Sequence, residues 1–153
     1  MAAPGAIIFP DKAKLNFFNA TNLLNPANVF KITLHTSLWV PANATNEVFA
    51  DATNELATAF GYTAGGITLT GVALTQTSGV VKFTSASAVW TAAGGSIPVW
   101  RYGVIRASGT LNGKVDPIVG YFLGDSAPAD VPATTVGNTL TITPNASGIM
   151  SAT

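Results

Sequence analysis

From residue 29 onward the chain is a succession of short segments rich in Val, Ile, Thr and aromatic residues, most of them separated by turn pairs. The segments span 29–35, 67–75, 80–84, 88–91, 99–107, 118–123 and 139–143. Between them lie Gly65-Gly66, Ser78-Gly79, Gly94-Gly95, Asn112-Gly113, Gly124-Asp125 and Gly137-Asn138. About seven strands at intervals of roughly 8–15 residues predict a mainly β fold, an antiparallel β-sandwich or a jelly-roll-like barrel. A parallel βαβ architecture is not expected from the same pattern, because each parallel pair needs a long crossover and only one segment reads as a helix.

That segment is 46–60. Phe49, Ala52, Leu56, Ala59 and Phe60 recur at helical spacing, Asp51, Asn54, Glu55 and Thr58 line the other side, and Gly61 stands where a left-handed cap is wanted. In 29–35, strict alternation places Phe30, Ile32 and Leu34 on one face and Lys31, Thr33 and His35 on the other. The stretch 99–107 is apolar at both parities, which predicts a central strand whose Arg101 and Arg106 sit at its ends or pair with carboxylates such as Asp116 and Asp125. Residues 29–153 are expected to form a single β-sandwich domain. Residues 1–28 are an irregular, apolar segment that serves either as an arm or as an edge of the core, with a short helix possible over 11–19.

Composition narrows the function. Only 9% of the 153 residues are charged and the net charge is zero, while 48% are hydrophobic; ordinary soluble domains carry about 25% charged residues. Disorder requires the opposite balance. Nucleic-acid binding needs a basic patch, and the densest basic windows are Lys12 with Lys14 and Arg101 with Arg106. The uncharged stretches 56–81 and 131–153 are broken by Gly, Pro, Ser and Thr and fall short of the roughly 18 apolar residues of a spanning helix, so no membrane partner is expected. The first ten residues carry no basic region or long apolar run, so no secretory address is read there. A surface so poor in charge is weakly protected against association, and the expectation is that partners or further copies cover much of it.

Chemistry is scarce. The chain has no cysteine and one histidine, His35, far in sequence from any carboxylate at ligand spacing, so no metal site and no cofactor are expected. No Gly-x-Ser-x-Gly turn accompanies it. Glu47, Asp51 and Glu55 would share one solvated helix face, and 61–66 lacks both the phosphate-loop and the dinucleotide fingerprints. No catalytic residue is assigned and an enzyme is not expected. The interface candidates are the apolar side chains of the first segment, Phe9, Phe17, Phe18, Leu23 and Leu24, and the loop 128–136, represented by Pro128, Val131 and Pro132.

Several strings carry a resemblance. Residues 54–66 (Asn-Glu-Leu-Ala-Thr-Ala-Phe-Gly-Tyr-Thr-Ala-Gly-Gly), 90–95 (Trp-Thr-Ala-Ala-Gly-Gly), 101–105 (Arg-Tyr-Gly-Val-Ile), 117–124 (Pro-Ile-Val-Gly-Tyr-Phe-Leu-Gly) and 140–149 (Leu-Thr-Ile-Thr-Pro-Asn-Ala-Ser-Gly-Ile) occur in an order that resembles a group of small tailed-bacteriophage virion structural proteins. The match runs from about 29 to 150; Lys12, Lys14 and the Pro-bounded start match nothing in it. The resemblance implies a virion structural protein made in the host cytoplasm. Its closest reading is a capsid decoration, or cement, protein, a jelly-roll-like domain that binds the outer surface of the major capsid protein shell as a homotrimer. A head-fibre base or tail component is the alternative within the same group. A carbohydrate-binding sandwich, with Trp39, Trp90 and Trp100 as stacking platforms, is the alternative outside it.

Overall fold

The computed structural model describes residues 5–8, 10–11, 23–78, 80–127 and 129–152. Its strands are β1 (Val29–His35), β2 (Ile67–Thr68), β3 (Ala73–Thr77), β4 (Val80–Thr84), β5 (Ala88–Thr91), β6 (Tyr102–Ser108), β7 (Thr110–Leu111), β8 (Lys114–Val115), β9 (Ile118–Leu123), β10 (Thr139–Ile142) and β11 (Met150–Ala152). All pairings between them are antiparallel. One sheet has the order β2-β1-β6-β9; β11-β4-β3 and β10-β5 form smaller sheets, and β7-β8 is a hairpin. The fold is thus mainly β and sandwich-like, and among the described residues no sheet closes into a barrel.

The alternation in β1 organises the core. Phe30, Ile32 and Leu34 point into one buried cluster with Ile105 and Ala107 of β6 and Val119 and Phe122 of β9. Phe83 of β4, Trp90 of β5, Leu140 and Ile142 of β10, and Ile149 meet them from the other sheets. Each of the Val, Leu, Ile and Phe side chains among them contributes roughly 1.5–3 kcal/mol by leaving water. Val119 and Phe122 can share this side despite opposite parity because the register shifts between Ile105 and Arg106, placing Ile105 against Gly120 and Arg106 against Ile118.

The reverse face of the large sheet is also covered. Val104, Ile118 and Tyr121 form a second cluster with Trp39 and Ala52, and Phe49 packs against it. Thr33 and His35, expected on a polar face, are therefore fully buried. The cover is the segment 36–60, and here the expected helix gives way to something else: its only helical turn is the 3-10 turn Phe49–Asp51. Asn54 and Phe60 adopt left-handed backbone, and residues 54–56 run antiparallel to the end of β1, with Thr36 N–H donating to Asn54 O and Leu56 N–H to Leu34 O. A helix has one apolar stripe, whereas this segment must place Ala52 in the second cluster and Leu56 in the main core, on opposite faces of the sheet. Gly61 does adopt positive φ, but in the tight Ala59–Tyr62 turn rather than at a helix end.

Three further boundaries differ from expectation. The stretch 67–75 is split at Gly71, and its halves join different sheets. The strand at 99–107 begins three residues late, at Tyr102, because the chain changes sheets at Arg101: Trp100 pairs with Val131, while Tyr102 pairs with Leu123. Finally β11, a segment too short to show alternation, adds to β4. The β5-β10 ladder itself continues through isolated bridges Ile97–Thr134 and Trp100–Val131, with one residue of slip across the Gly94-Gly95 turn.

Candidate assembly surface

Two of the motif strings, 54–66 and 90–95, form an internal clasp. Glu55 Oε1 accepts hydrogen bonds from the Tyr62 hydroxyl and from Gly65 N–H, both at 2.7 Å, and the same hydroxyl accepts from Leu34 N–H at 3.0 Å. Tyr62 is packed near the Trp90 ring at 6.2 Å. Burial and the neighbouring Glu55 carboxylate push its phenol pKa well above the ordinary value. Gly66 sits at φ +75° against Ile32 O, and Gly95 fits under the Phe60 ring. Residues 54–66 and 90–95 are thus pressed against one another and against β1.

Most of the acids are fasteners too. Glu47 bonds Lys114 Nζ at 2.9 Å, Asp51 accepts from Glu47 and Val48 N–H, and Asp125 accepts from Ala127 N–H. The solvated acidic helix face is therefore replaced by three carboxylates with separate structural duties. Arg106 pairs with Asp116 at 2.9 Å, as the sequence suggested, donates to Gly65 O and lies over the Phe49 ring. Arg101 pairs with Asp130 at 2.6 Å rather than with Asp125, pinning the loop after β9.

The candidate interface residues are scattered by the fold. Phe9, Phe17, Phe18 and Pro128 lie outside the described residues. Leu23 is 3% exposed and belongs to the main core, and Leu24 packs against it. Residues 5–8 line the free edge of β9, with Gly5 N–H donating to Leu123 O and Ile8 exchanging bonds with Tyr121. Val131 is taken up by its bridge to Trp100, and Pro132 is exposed. Leu23 and Val131 are thus committed to the chain's own packing, leaving Pro132 and part of Leu24 on the surface.

What sequence reasoning missed is the loop after β1. Leu38 and Val40 are 76% and 78% exposed, while Trp39 between them is 2% exposed. Trp39 stacks edge-on against Tyr102 and Tyr121 and lies 5.2 Å from the His35 ring. The out-in-out pattern was visible as Leu-Trp-Val, but three consecutive apolar residues give no parity without knowing that the middle one is anchored. No charged residue occurs from 36 to 46. Val136, Val115 and Phe60 are further exposed apolar side chains. A cleft of about 650 Å³ opens between the sheets, lined by Ile32, Ile105, Phe122, Ile142, Ile149 and Met150 among others.

The three tryptophans are all buried, so none offers a face for sugar stacking. His35 Nδ1 faces Thr53 O at 2.8 Å and Nε2 faces Thr33 Oγ1 at 2.9 Å; burial lowers its pKa. Among the described residues no group of three His, Asp or Glu side chains is arranged to hold a metal, and no helix is long and apolar enough to cross a membrane. The chain matches no family model, no curated protein and no solved structure.

Proposed function

We propose that this protein is a structural component of a tailed-bacteriophage virion, a decoration protein that binds the outside of the major capsid protein shell, as a homotrimer, and stabilises it. The observation that carries this reading is how charge and apolar groups are divided between inside and outside. Glu47, Asp51, Glu55, Asp116, Asp125 and Asp130 each satisfy a partner within the chain. Leu38 and Val40 are largely exposed, in a stretch, 36–46, that contains no charged residue. Such a surface suits permanent burial against other subunits.

The ordered strings at 54–66, 90–95, 101–105, 117–124 and 140–149 supply the virion context. Because 54–66 and 90–95 are occupied in holding the fold, the resemblance there speaks for the domain type, and the contacts with a shell are made by other residues. Binding, with no turnover, is the mechanism: the domain folds first, then buries Leu38, Val40 and neighbouring uncharged surface.

Copy number tests this. Densitometry of purified particles, or a cryo-EM map, should give many copies distributed over the shell. A few copies at one vertex or along the tail would support the fibre-base or tail reading instead.

A further inference from the structure

His35 is the only histidine in the chain and the only side chain whose ordinary titration falls between about pH 5 and 8. It is completely buried where the cover segment 36–60 meets the sheet. Its position is defined from both sides. Thr53 O, on the cover, can only accept, so Nδ1 carries the proton. On the sheet side the Thr33 hydroxyl, 2.9 Å from Nε2, donates to the neutral ring. That hydroxyl has a second acceptor, Val104 O at 3.4 Å. A second ring proton can therefore enter without orphaning a hydrogen bond: Nε2–H donates to Thr33 Oγ1 and the hydroxyl turns to Val104 O.

What the site lacks is a direct counter-ion: the Glu55 carboxylate and the bond to Thr53 O favour the charged ring, but burial opposes it more strongly. From the cover, Trp39 and Phe49 present rings at 5.2 and 6.1 Å. Glu55, bridged to His35 through the backbone, directs Oε1 to Tyr62 and Gly65. Asp51 is held by the amides of Glu47 and Val48, and Glu47 by Lys114. From β6, Tyr102 is the cross-strand neighbour, and the Arg106 cation lies on the Phe49 ring that also touches His35. Tyr121 of β9 stands beyond Trp39. Among the described residues a cation here is hydrogen-bonded but meets no carboxylate directly, Glu55 acting on it only at a distance, and water is reached most simply by loosening the cover.

We propose that His35 is a proton-operated latch: neutral, it seats the cover on β1; protonated in mild acid, its buried charge outweighs its bonds to Thr53 and Thr33 and loosens the loop that carries Leu38, Trp39 and Val40. The linkage has one sign. Burial depresses the pKa of His35 in the fold, so its contribution to stability is fully present above the ordinary value of about 6.5 and is lost as pH falls through the lower, folded value. The latch follows from the packing alone and stands independently of the virion reading.

The test uses the full chain at about pH 7.5 and about pH 5. The single histidine gives one set of ring resonances, whose titration midpoint is expected below about 6.5. Hydrogen exchange, expressed as protection relative to intrinsic rates, is followed for 36–46 and, as reference, for β6. Protection of 36–46 is expected to fall at least about tenfold at the lower pH while β6 holds, and His35→Gln should abolish that pH dependence. A midpoint at or above 6.5 in the wild-type chain, or loop protection that does not change with pH, overturns the latch even if the variant fails to fold.

Discussion

The Tyr62 hydroxyl donates to Glu55 Oε1 at 2.7 Å while accepting from Leu34 N–H, so one side chain joins the cover segment to a buried strand. Replacing Tyr62 by Phe strands a buried amide and frees a carboxylate oxygen from its partner. A loss of about 1–3 kcal/mol is expected. Glu55→Gln, which keeps an acceptor for Tyr62 and Gly65, should cost less. Urea denaturation of the two variants, read at the same m-value, checks the order.

Two glycines with similar φ should behave differently on replacement by alanine. At Gly66 a Cβ would stand 2.0 Å from Ile32 O, a backbone atom that cannot move aside. At Gly113, in the β7-β8 turn, a Cβ meets nothing within 4 Å. Gly66→Ala is expected to lose at least about 4 kcal/mol or to fail to fold; Gly113→Ala bears only the left-handed backbone cost, roughly 1–3 kcal/mol. Thermal melts and soluble yield distinguish them.

The two arginine pairs make a similar contrast. Arg106 is buried beside Asp116, so Asp116→Asn leaves a cation with little water and should cost about 3 kcal/mol or more. Arg101 and Asp130 are partly exposed, and Asp130→Asn should cost at most about 1 kcal/mol. Raising the salt concentration should narrow the effect of Asp130→Asn more than that of Asp116→Asn.

Part of this was legible in the sequence and part was not, for identifiable reasons. Alternation in 29–35 assigns Phe30, Ile32 and Leu34 to the core. It also assigns Thr33 and His35 to solvent, which fails because periodicity within a strand cannot report what covers its second face. The cover was hidden by a helical spacing of Phe49, Ala52, Leu56, Ala59 and Phe60 whose members serve different clusters. Pairing of Arg106 with Asp116 was readable; the partner of Arg101 was not, since Asp125 and Asp130 lie in the same loop and only its path separates them. Leu38 and Val40 gave no signal until Trp39 was seen to be anchored.

If Leu38 and Val40 form the contact surface, Leu38→Ser with Val40→Ser should leave the melting temperature nearly unchanged, because both side chains already face water in the free domain. Retention on purified shells in a sedimentation assay should fall by more than about tenfold, a loss of some 1.4 kcal/mol. Unaltered retention would move the contact surface elsewhere, with Val136 and Pro132 the next positions to substitute.

The central claim, that this domain covers the outside of a virion shell, is tested most directly by its copy number per particle relative to the major capsid protein, taken from a cryo-EM reconstruction or a calibrated gel. The account predicts a fixed simple ratio with density repeated across the outer surface. Absence from purified particles, or a handful of copies confined to the tail or one vertex, would contradict it.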